Sequence, residues 1–336
     1  MQGAAEQIAI KTLFKQFVYA VRSFQPELLR DMLIADAEAE FSHLGAFKGV
    51  DEIIAGLRWT GDVELNVTKS EITNYVARSH NGRAQQCAYV LYLAGHDDGK
   101  FLHYFHYSGH YANSYVETED GWKISKIKYD LDWQWGNNYF VKDWTLMDYN
   151  RYAGHKPVVL SELDAPWRVI PEADYAGTDE EQIADAYTLY AWGLDVADSM
   201  LALASCTDDV ILRAVQRDLV GAKEFVIFLK SLSHKEAALQ HACKVRNVKI
   251  DGDTATMEAW RVELNRMSGK GITRQNIHHA AFTAVYYCHL RKESGVWKLC
   301  EFDYKPKVTF ESNPDKLQFV GDLNGADSVS GSAIHH

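Results

Sequence analysis

Residues 109–140 read GHYANSYVETEDGWKISKIKYDLDWQWGNNYF. Apolar and polar residues alternate on both sides of Asp120 and Gly121, a dipeptide that favours the tight turn of a β-hairpin. The segment therefore predicts two long antiparallel strands. Two further turn signals come before it, so we expect each long strand to pair with the next one along the chain. These signals are Asn81-Gly82 and Asp98-Gly99.

The sequence contains an internal repeat, which emerges when the two halves of the chain are compared. Four landmarks recur in the same order: a Tyr-Ala pair on a helix, a Gly before a Glu, an Asn before a turn, and a Trp-Lys pair after a turn. Their spacings are 30 and 31, 25 and 26, and 48 and 50 residues. Such agreement indicates a tandem duplication. The landmark pairs are Tyr19 and Tyr190, Gly49 and Gly221, Asn74 and Asn247, and Trp122 and Trp297.

The repeat divides the chain into four segments. Residues 1–140 and 178–312 are the two copies, and each is predicted to contain helix, helix, short strand, helix and then long strands. Residues 141–177 are a connector, and residues 313–336 are a polar tail. The connector carries three prolines, which break helices and strand ladders. They are Pro157, Pro166 and Pro171.

This order of elements predicts an α+β fold of two tandem cone-shaped barrels. In each barrel, a curved antiparallel sheet is wrapped by helices around an apolar cavity. We expect the two copies to form an internal pseudo-dimer, and whether the tandem unit forms a homo-oligomer stays open.

Composition excludes several classes of protein. The net charge of −11 opposes binding to nucleic acid, because that binding depends on cationic side chains. The sequence has no apolar run long enough to cross a bilayer, and its first residues lack the pattern of a secretory signal, so we expect a cytoplasmic protein. The five cysteines show no metal-binding spacing. Nine Trp, eighteen Tyr and fourteen Phe suit a cavity for an aromatic small-molecule substrate.

The landmarks resemble those of the nuclear transport factor 2-like superfamily, which includes SnoaL-like polyketide cyclases, ketosteroid isomerases and scytalone dehydratases. The resemblance covers nearly the whole chain, twice. Its most particular part is residues 109–140, which look like the end of scytalone dehydratase: a Gly-His strand, a Gly-Trp-Lys hairpin and an Asp-x-x-Trp-Gly exit. The resemblance implies an enzyme without a cofactor, in which His, Asp and Tyr exchange protons inside a water-poor pocket.

The activity that we expect from this resemblance is that of a lyase or dehydratase. Its substrate would be a hydrophobic, phenolic molecule with a leaving hydroxyl. A narrower hypothesis is C–C cleavage that releases formaldehyde from a lignin-derived diaryl diol, as in some lignin-dimer lyases of the superfamily. The alternatives are a ketosteroid-isomerase-like double-bond isomerase, a polyketide cyclase, or a protein that only binds ligands or acts as a scaffold.

One strand of the first copy, FLHYFHYSGHYANSY, is rich in groups that exchange protons. Alternation places His103, Tyr107 and Tyr111 on one face, which by resemblance to the family's Gly-x-Tyr pattern lines the cavity. We expect these three residues to be catalytic. His106 and His110 lie on the other face and, because they do not converge with His103, no metal site is expected. The matching strand of the second copy presents His278, which we also expect to be catalytic, and Tyr286.

The second copy offers a carboxylate and a histidine by resemblance to the family. The family's carboxylate on the first helix corresponds to Asp195, a candidate base, and its catalytic histidine corresponds to His241. A capping or solvated Asp and a hydrogen-bonded core His are the plainer interpretations. In the first copy, Phe24 stands at the position equivalent to Asp195, so the copies have diverged.

Further residues are candidates for contact with the substrate. Arg78 could bind an anionic oxygen, His96 lies in a turn that carries a catalytic His in scytalone dehydratase, and Asp130 alternates with aromatic residues. The alternatives are that Arg78 forms an ion pair at the surface, that His96 is exposed in its turn, and that Asp130 lies on a solvated face. The complete set of predicted substrate-binding residues is Tyr19, Arg78, Tyr89, His96, Phe105, Asp130, Trp133 and Tyr286.

Overall fold

In a computed structural model, the chain forms two compact units, Met1–Ala176 and Gly177–His336. The structure describes residues 2–61, 63–146, 156–213, 217–233, 240–264, 280–313 and 316–321. Each unit is described by itself below.

The first unit packs helices against one face of a six-stranded sheet. Its sheet order is β2-β1-β6-β5-β4-β3. Two short helices, α4 and α5, follow the sheet in sequence. The elements are α1 (Gln2–Ser23), α2 (Pro26–Met32), β1 (Leu33–Phe41), β2 (Gly45–Lys48), α3 (Val50–Gly56), β3 (Val67–His80), β4 (Arg83–Asp97), β5 (Leu102–Thr118), β6 (Gly121–Gly136), a 3₁₀ turn (Asn138–Phe140), α4 (Ser161–Asp164) and α5 (Pro166–Val169).

The second unit repeats this topology, with the sheet order β8-β7-β12-β11-β10-β9 and β13 added beside β12. Identical strand order in both halves confirms the tandem α+β fold. The elements are α6 (Asp179–Asp195), α7 (Ser199–Ala204), β7 (Cys206–Arg213), β8 (Asp218–Val220), α8 (Ala222–Ser233), β9 (Cys243–Asp251), β10 (Thr254–Leu264), β11 (Ala280–Glu293), β12 (Val296–Asn313) and β13 (Lys316–Gly321).

Both sheets are mixed, which corrects the expectation of wholly antiparallel sheets. The long strands pair antiparallel as the turn signals predict. The first strand of each unit, however, runs parallel to the last, β1 beside β6 and β7 beside β12. The turn signals could not reveal this pairing, because it joins the two ends of the unit rather than neighbours in sequence. The described strands form an open row rather than a closed barrel.

Two of the sequence landmarks have a structural cause. Gly49 and Gly221 have φ of 82° and 91°, a left-handed conformation that favours glycine. Each donates its backbone N–H over 2.8 Å to the first strand of its unit, to the carbonyls of Ala37 on β1 and Val210 on β7. Asn74 and Asn247 also have positive φ, but they lie inside β3 and β9 at β-bulges. They do not stand before a turn, as the sequence suggested.

The first helix of each unit shows how the copies correspond. Phe14, Phe17 and Val21 are buried on α1, and Tyr187 and Tyr190 are buried at the same spacing on α6. Tyr190 therefore corresponds to Phe17, whereas Tyr19 is 48% exposed. The residue equivalent to Asp195 is then Arg22, which corrects the expectation of Phe24.

The described part of the predicted connector packs onto the first unit. The Asp130 carboxylate on β6 accepts the backbone N–H groups of Val158 and Val159 at 2.9 and 3.0 Å. A buried ion pair joins Lys128 to Asp164 over 2.9 Å. Hydrogen bonds to a carboxylate are stronger than those to neutral groups, so this segment is fastened to the sheet rather than free.

Removing the charge of Asp130 tests this attachment. An amide in its place presents an N–H group to backbone donors, so we expect Asp130→Asn to cost about 1–3 kcal/mol in the free energy of unfolding. Limited proteolysis should then cut within residues 156–176 faster than in the wild type. Asp120→Asn, in an exposed turn, is the control. Unchanged proteolysis and melting temperature in Asp130→Asn would show that the attachment lies elsewhere.

Candidate functional site

A carboxylate and an imidazole meet in the second unit. Asp195 is the last residue of α6, and His241 stands just before β9. The His241 Nδ1 lies 2.7 Å from Asp195 Oδ1, and the His241 backbone N–H donates to Asp195 Oδ2 over 2.8 Å. Asp195 is 4% and His241 7% exposed. Both oxygens of the carboxylate are thus held by one residue, which fixes the imidazole in place.

The end of a helix is an unfavourable place for a carboxylate, because the helix dipole is negative there. Helix α6 begins with a capping box between Thr178 and Glu181 and ends at Asp195. The contacts from His241 therefore compensate both burial and the dipole at Asp195. A carboxylate beside Nδ1 holds the proton on that nitrogen, so the neutral imidazole carries its lone pair on Nε2.

Aromatic side chains surround this pair. The Tyr190 ring meets the His241 ring edge-on at 6.2 Å and packs on Phe302 at 4.8 Å. Tyr187 contacts Tyr286 at 5.9 Å between ring centroids. These rings belong to the core that α6 buries against the sheet. The acid–base pair is therefore placed among apolar walls, where little water competes for its protons.

Arg261 adds a positive charge near Cys243 and Tyr286. It continues the inner row of β10 after Met257 and Ala259. Its charge lowers the pKa values of Cys243 and Tyr286, whereas the Asp195 charge raises both. Burial dominates and raises the pKa of Cys243 to about 12, so this thiol stays protonated at neutral pH and is a poor nucleophile. Tyr286 likewise remains a neutral phenol.

The first unit contains a separate, narrow pocket with a free volume of about 20 Å³, which is room for about one water molecule. The Tyr111 and Tyr129 rings lie 4.4 Å apart, and the Trp144 ring lies 4.2 Å from that of His43. Because these walls touch one another, little free space is left between the rings. The aromatic and imidazole rings that line the pocket are Phe41, His43, Trp59, Tyr107, Tyr111, Tyr129 and Trp144.

Phenols dominate this pocket and the core behind it. The hydroxyls of Tyr92 and Tyr111 lie 3.1 Å apart, and Tyr92 stacks on Tyr107 at 4.9 Å. Burial raises the pKa values of Tyr92, Tyr107, Tyr111 and Tyr129 above the ordinary value. All four therefore stay protonated at neutral pH and offer hydrogen-bond donors rather than bases.

The structure brings several of the predicted site residues to inner faces. Tyr107 and Tyr111 line the pocket of the first unit, and Phe105 packs on Trp144 behind it. Asp195 pairs with His241, and Tyr286 lies in the core of the second unit. His278 lies outside the described residues.

The other predicted residues lie away from these two groups. His103 is on the expected face but beyond the pocket, with its ring 6.0 Å from Tyr139. His96 Nδ1 contacts the Glu64 carbonyl at 2.7 Å. Arg78 donates to the backbone carbonyls of Ile170 and Pro171. The rings of Tyr89 and Trp133 pack on His110 and His106, respectively. Asp130 binds the connector, and Tyr19 is exposed.

Sequence reasoning missed several residues of these groups, Tyr129 among them. Arg261 could have been predicted, because it follows Met257 and Ala259 at every second position of β10 and so lies on the same face of the strand. His43 and Trp59 lie between regular elements, where no period applies. Trp144 falls in the predicted connector, so nothing in the local pattern placed it against the pocket.

Each unit is thus an α+β domain with helices on one sheet face and polar groups enclosed between them. The chain belongs to the SnoaL-like domain family, because the family's sequence model matches residues 3–128 and 176–303, more than half of the chain. A search of curated proteins finds no significant match.

Solved structures similar to the chain cover about two fifths of it. A proposed scytalone dehydratase of Novosphingobium aromaticivorans is 16% identical, with a TM-score of 0.36, and covers 43% of this chain and 94% of its own. The LinA-type3 hexachlorocyclohexane dehydrochlorinase of Novosphingobium barchaimii is 19% identical, with a TM-score of 0.34 and coverage of 40% and 91%. The Kfla4162 protein of Kribbella flavida is 20% identical, with a TM-score of 0.34 and coverage of 39% and 94%.

The described residues contain neither a membrane-spanning helix nor a cluster of metal ligands. None of their helices is long and apolar enough to span a membrane. Within the same residues, no three His, Cys, Asp or Glu side chains are grouped so that they could hold a metal ion.

The buried phenols predict an alkaline limit to stability. Below pH about 10, folded and unfolded chains both keep these protons, so the free energy of unfolding does not depend on them. Above it the unfolded chain ionises first, and the free energy of unfolding falls as the pH rises. We expect Tyr111→Phe to flatten this alkaline fall in thermal melts. Tyr19→Phe, which removes an exposed hydroxyl, should leave the fall unchanged. Equal slopes in all three proteins would contradict the assignment.

Proposed function

We propose that the second unit is the active site of a cofactor-independent lyase of the dehydratase type. The observation that carries this proposal is the buried pair of Asp195 and His241, joined by two short hydrogen bonds. A histidine whose Nδ1 is held by a carboxylate can accept a proton at Nε2, and the carboxylate stabilises the resulting imidazolium.

The proposed reaction is an elimination of water. His241 Nε2 takes a proton from the carbon next to a C–O bond, and the electron pair of the C–H bond forms the new double bond. The C–O bond breaks, and the departing hydroxide takes a proton from the imidazolium and leaves as water. The histidine thus returns to its starting state, and the step needs no other reactant.

The surroundings of the pair support a hydrophobic aromatic substrate with a leaving hydroxyl. Tyr190 and Phe302 offer flat apolar walls. Arg261 and Tyr286 can stabilise a phenolate or another developing oxyanion, because a cation and a neutral phenol both favour negative charge nearby. With a phenolic diol, departure of one hydroxyl as water leaves a quinone methide. Removal of the proton of the other hydroxyl then forms the C=O bond of formaldehyde, and the electron pair of the broken C–C bond forms a C=C bond as the quinone methide returns to a phenol.

The same pair could run a double-bond isomerisation, in which the proton returns to another carbon. The products separate these reactions: elimination loses water, C–C cleavage releases formaldehyde, and isomerisation leaves the mass unchanged. We expect water loss from a panel of hydroxylated phenolic compounds.

Substitution of the pair tests the proposal. We expect His241→Gln to lower kcat by about 10²–10⁴-fold, the usual contribution of a positioned base, and Asp195→Asn to lower it because the imidazole loses its fixed tautomer. His289→Gln changes an exposed histidine of the same unit and should retain full activity. Circular dichroism of each variant checks that it is folded.

Three results would contradict the proposal. Full turnover in folded His241→Gln would exclude this histidine as the base. Loss of turnover in His103→Ala together with activity in His241→Gln would move catalysis to the first unit. No turnover of any compound by the wild type would favour a ligand-binding or scaffold role.

A further inference from the structure

A buried imidazole stands between two carboxylates in the first unit, on the sheet face opposite to Tyr111 and helix α1. The Nδ1 of His110 lies 2.9 and 3.1 Å from the two carboxylate oxygens of Asp132. The other ring nitrogen, Nε2, lies at an ion-pair distance of 3.7 Å from Asp130 Oδ2. His110, Asp130 and Asp132 are 3%, 2% and 5% exposed. These three residues form a charged group within the protein interior.

The geometry of this group favours the charged form of His110. A neutral imidazole carries a proton on one nitrogen only, whereas the imidazolium presents an N–H on both. Here a carboxylate faces each of the two nitrogens. Two buried negative charges repel each other, and a positive charge between them offsets both this repulsion and part of the cost of burial.

Other titratable groups come from every described element around His110. Tyr89 of β4 meets the His110 ring at 6.1 Å between ring centroids. Lys128 of β6 forms an ion pair with Asp164 of α4 over 2.9 Å, so these two charges balance each other. His110 faces both remaining carboxylates. Among the described residues, the titratable groups on these elements are Tyr89, His106, Lys128, Asp130, Asp132 and Asp164.

Asp130 links this group to the connector. Its two carboxylate oxygens accept the backbone N–H groups of Val158 and Val159 at 2.9 and 3.0 Å. The negative charge strengthens both hydrogen bonds, and a buried carboxylate keeps that charge most easily beside a positive one. The charge of the imidazole therefore acts on the contact that fastens residues 158 and 159 to the sheet.

The second unit does not contain this charged group. Tyr111 and Tyr286 occupy equivalent places, since each faces the first helix of its unit and pairs with a tyrosine of the last long strand. The strand register then gives the equivalents of the charged residues, which are Val285 for His110 and Lys305 for Asp130. The fold itself thus does not require the group, which occurs in the unit onto whose sheet the connector packs.

We propose that His110 is a pH-sensitive switch that controls how firmly the connector is held on the first sheet. The charged imidazole stabilises the Asp130 carboxylate that binds Val158 and Val159. When the imidazole loses its proton, Asp130 and Asp132 lose this positive charge between them, and the attachment weakens. This switch does not depend on the proposed activity of the second unit.

The direction of the switch follows from the charges. Because two carboxylates favour the imidazolium, we expect the pKa of His110 to be higher in the folded than in the unfolded chain. Below the ordinary histidine pKa of about 6.5, both states carry the proton, and the contribution to stability is complete. It is lost as the pH rises through the folded pKa, so the attachment loosens with rising pH.

Hydrogen exchange of the Val158 and Val159 amides measures the attachment directly in the full chain. We expect their protection factors to fall above the folded pKa of His110, by about 10-fold for each unit by which folding raises that pKa. His110→Gln, which is neutral at every pH, should give low protection without this fall. His80→Gln is the matched control, because His80 contacts Asp174 of the connector at 2.7 Å but is 45% exposed. It should keep the wild-type profile.

Nuclear magnetic resonance of the His110 ring in the wild type gives a second measurement, which does not require the variant to fold. We expect both ring nitrogens to be protonated at neutral pH. The proposal is overturned by a neutral His110 ring at neutral pH, or by protection at Val158 and Val159 that stays constant while His110 loses its proton. It is also overturned by a wild-type profile in His110→Gln, or by an equal loss of the profile in His80→Gln.

Discussion

The dry interface between the first helix and the sheet controls the chemistry of both units. In the first unit, Phe14 and Phe17 of α1 pack edge-on against Tyr111 of β5. In the second, Tyr187 and Tyr190 of α6 occupy the same places and contact Tyr286 and Phe302. Every polar group that points into this interface loses its contact with water. It is therefore most stable when it is hydrogen-bonded or in its uncharged form.

The two units meet that requirement in different ways. In the second, the carboxylate of Asp195 is satisfied by His241, and the pair can move a proton. In the first, the hydroxyls of Tyr92 and Tyr111 lie within hydrogen-bond distance, while that of Tyr129 has no partner among the described residues. Duplication has thus given one scaffold two interiors that differ in their polar groups.

The features of the fold that the sequence predicted are those that depend on local periodicity and on turns. Alternation along β5 correctly placed Tyr107 and Tyr111 on the inner face, and the repeat identified two similar halves. The resemblance to known enzymes singled out Asp195 and His241 separately, and the structure brings them into contact. The parallel pairing of β1 with β6 and the attachment of the connector through Asp130 are long-range contacts, which no local pattern reveals. The equivalence of Arg22 with Asp195 follows from which residues of α1 and α6 are buried, and the sequence alone does not show this. His103 lies on the predicted face of β5 but outside the pocket.

If Asp195 orients His241 as the 2.7 Å contact indicates, the ring proton of the neutral imidazole lies on Nδ1. Nuclear magnetic resonance of protein with ¹⁵N-labelled histidine distinguishes the two ring nitrogens. Near neutral pH we expect His241 to give a slowly exchanging proton on Nδ1, and this signal should disappear in Asp195→Asn. A neutral ring protonated on Nε2, or a ring whose signals do not respond to Asp195→Asn, would contradict the account.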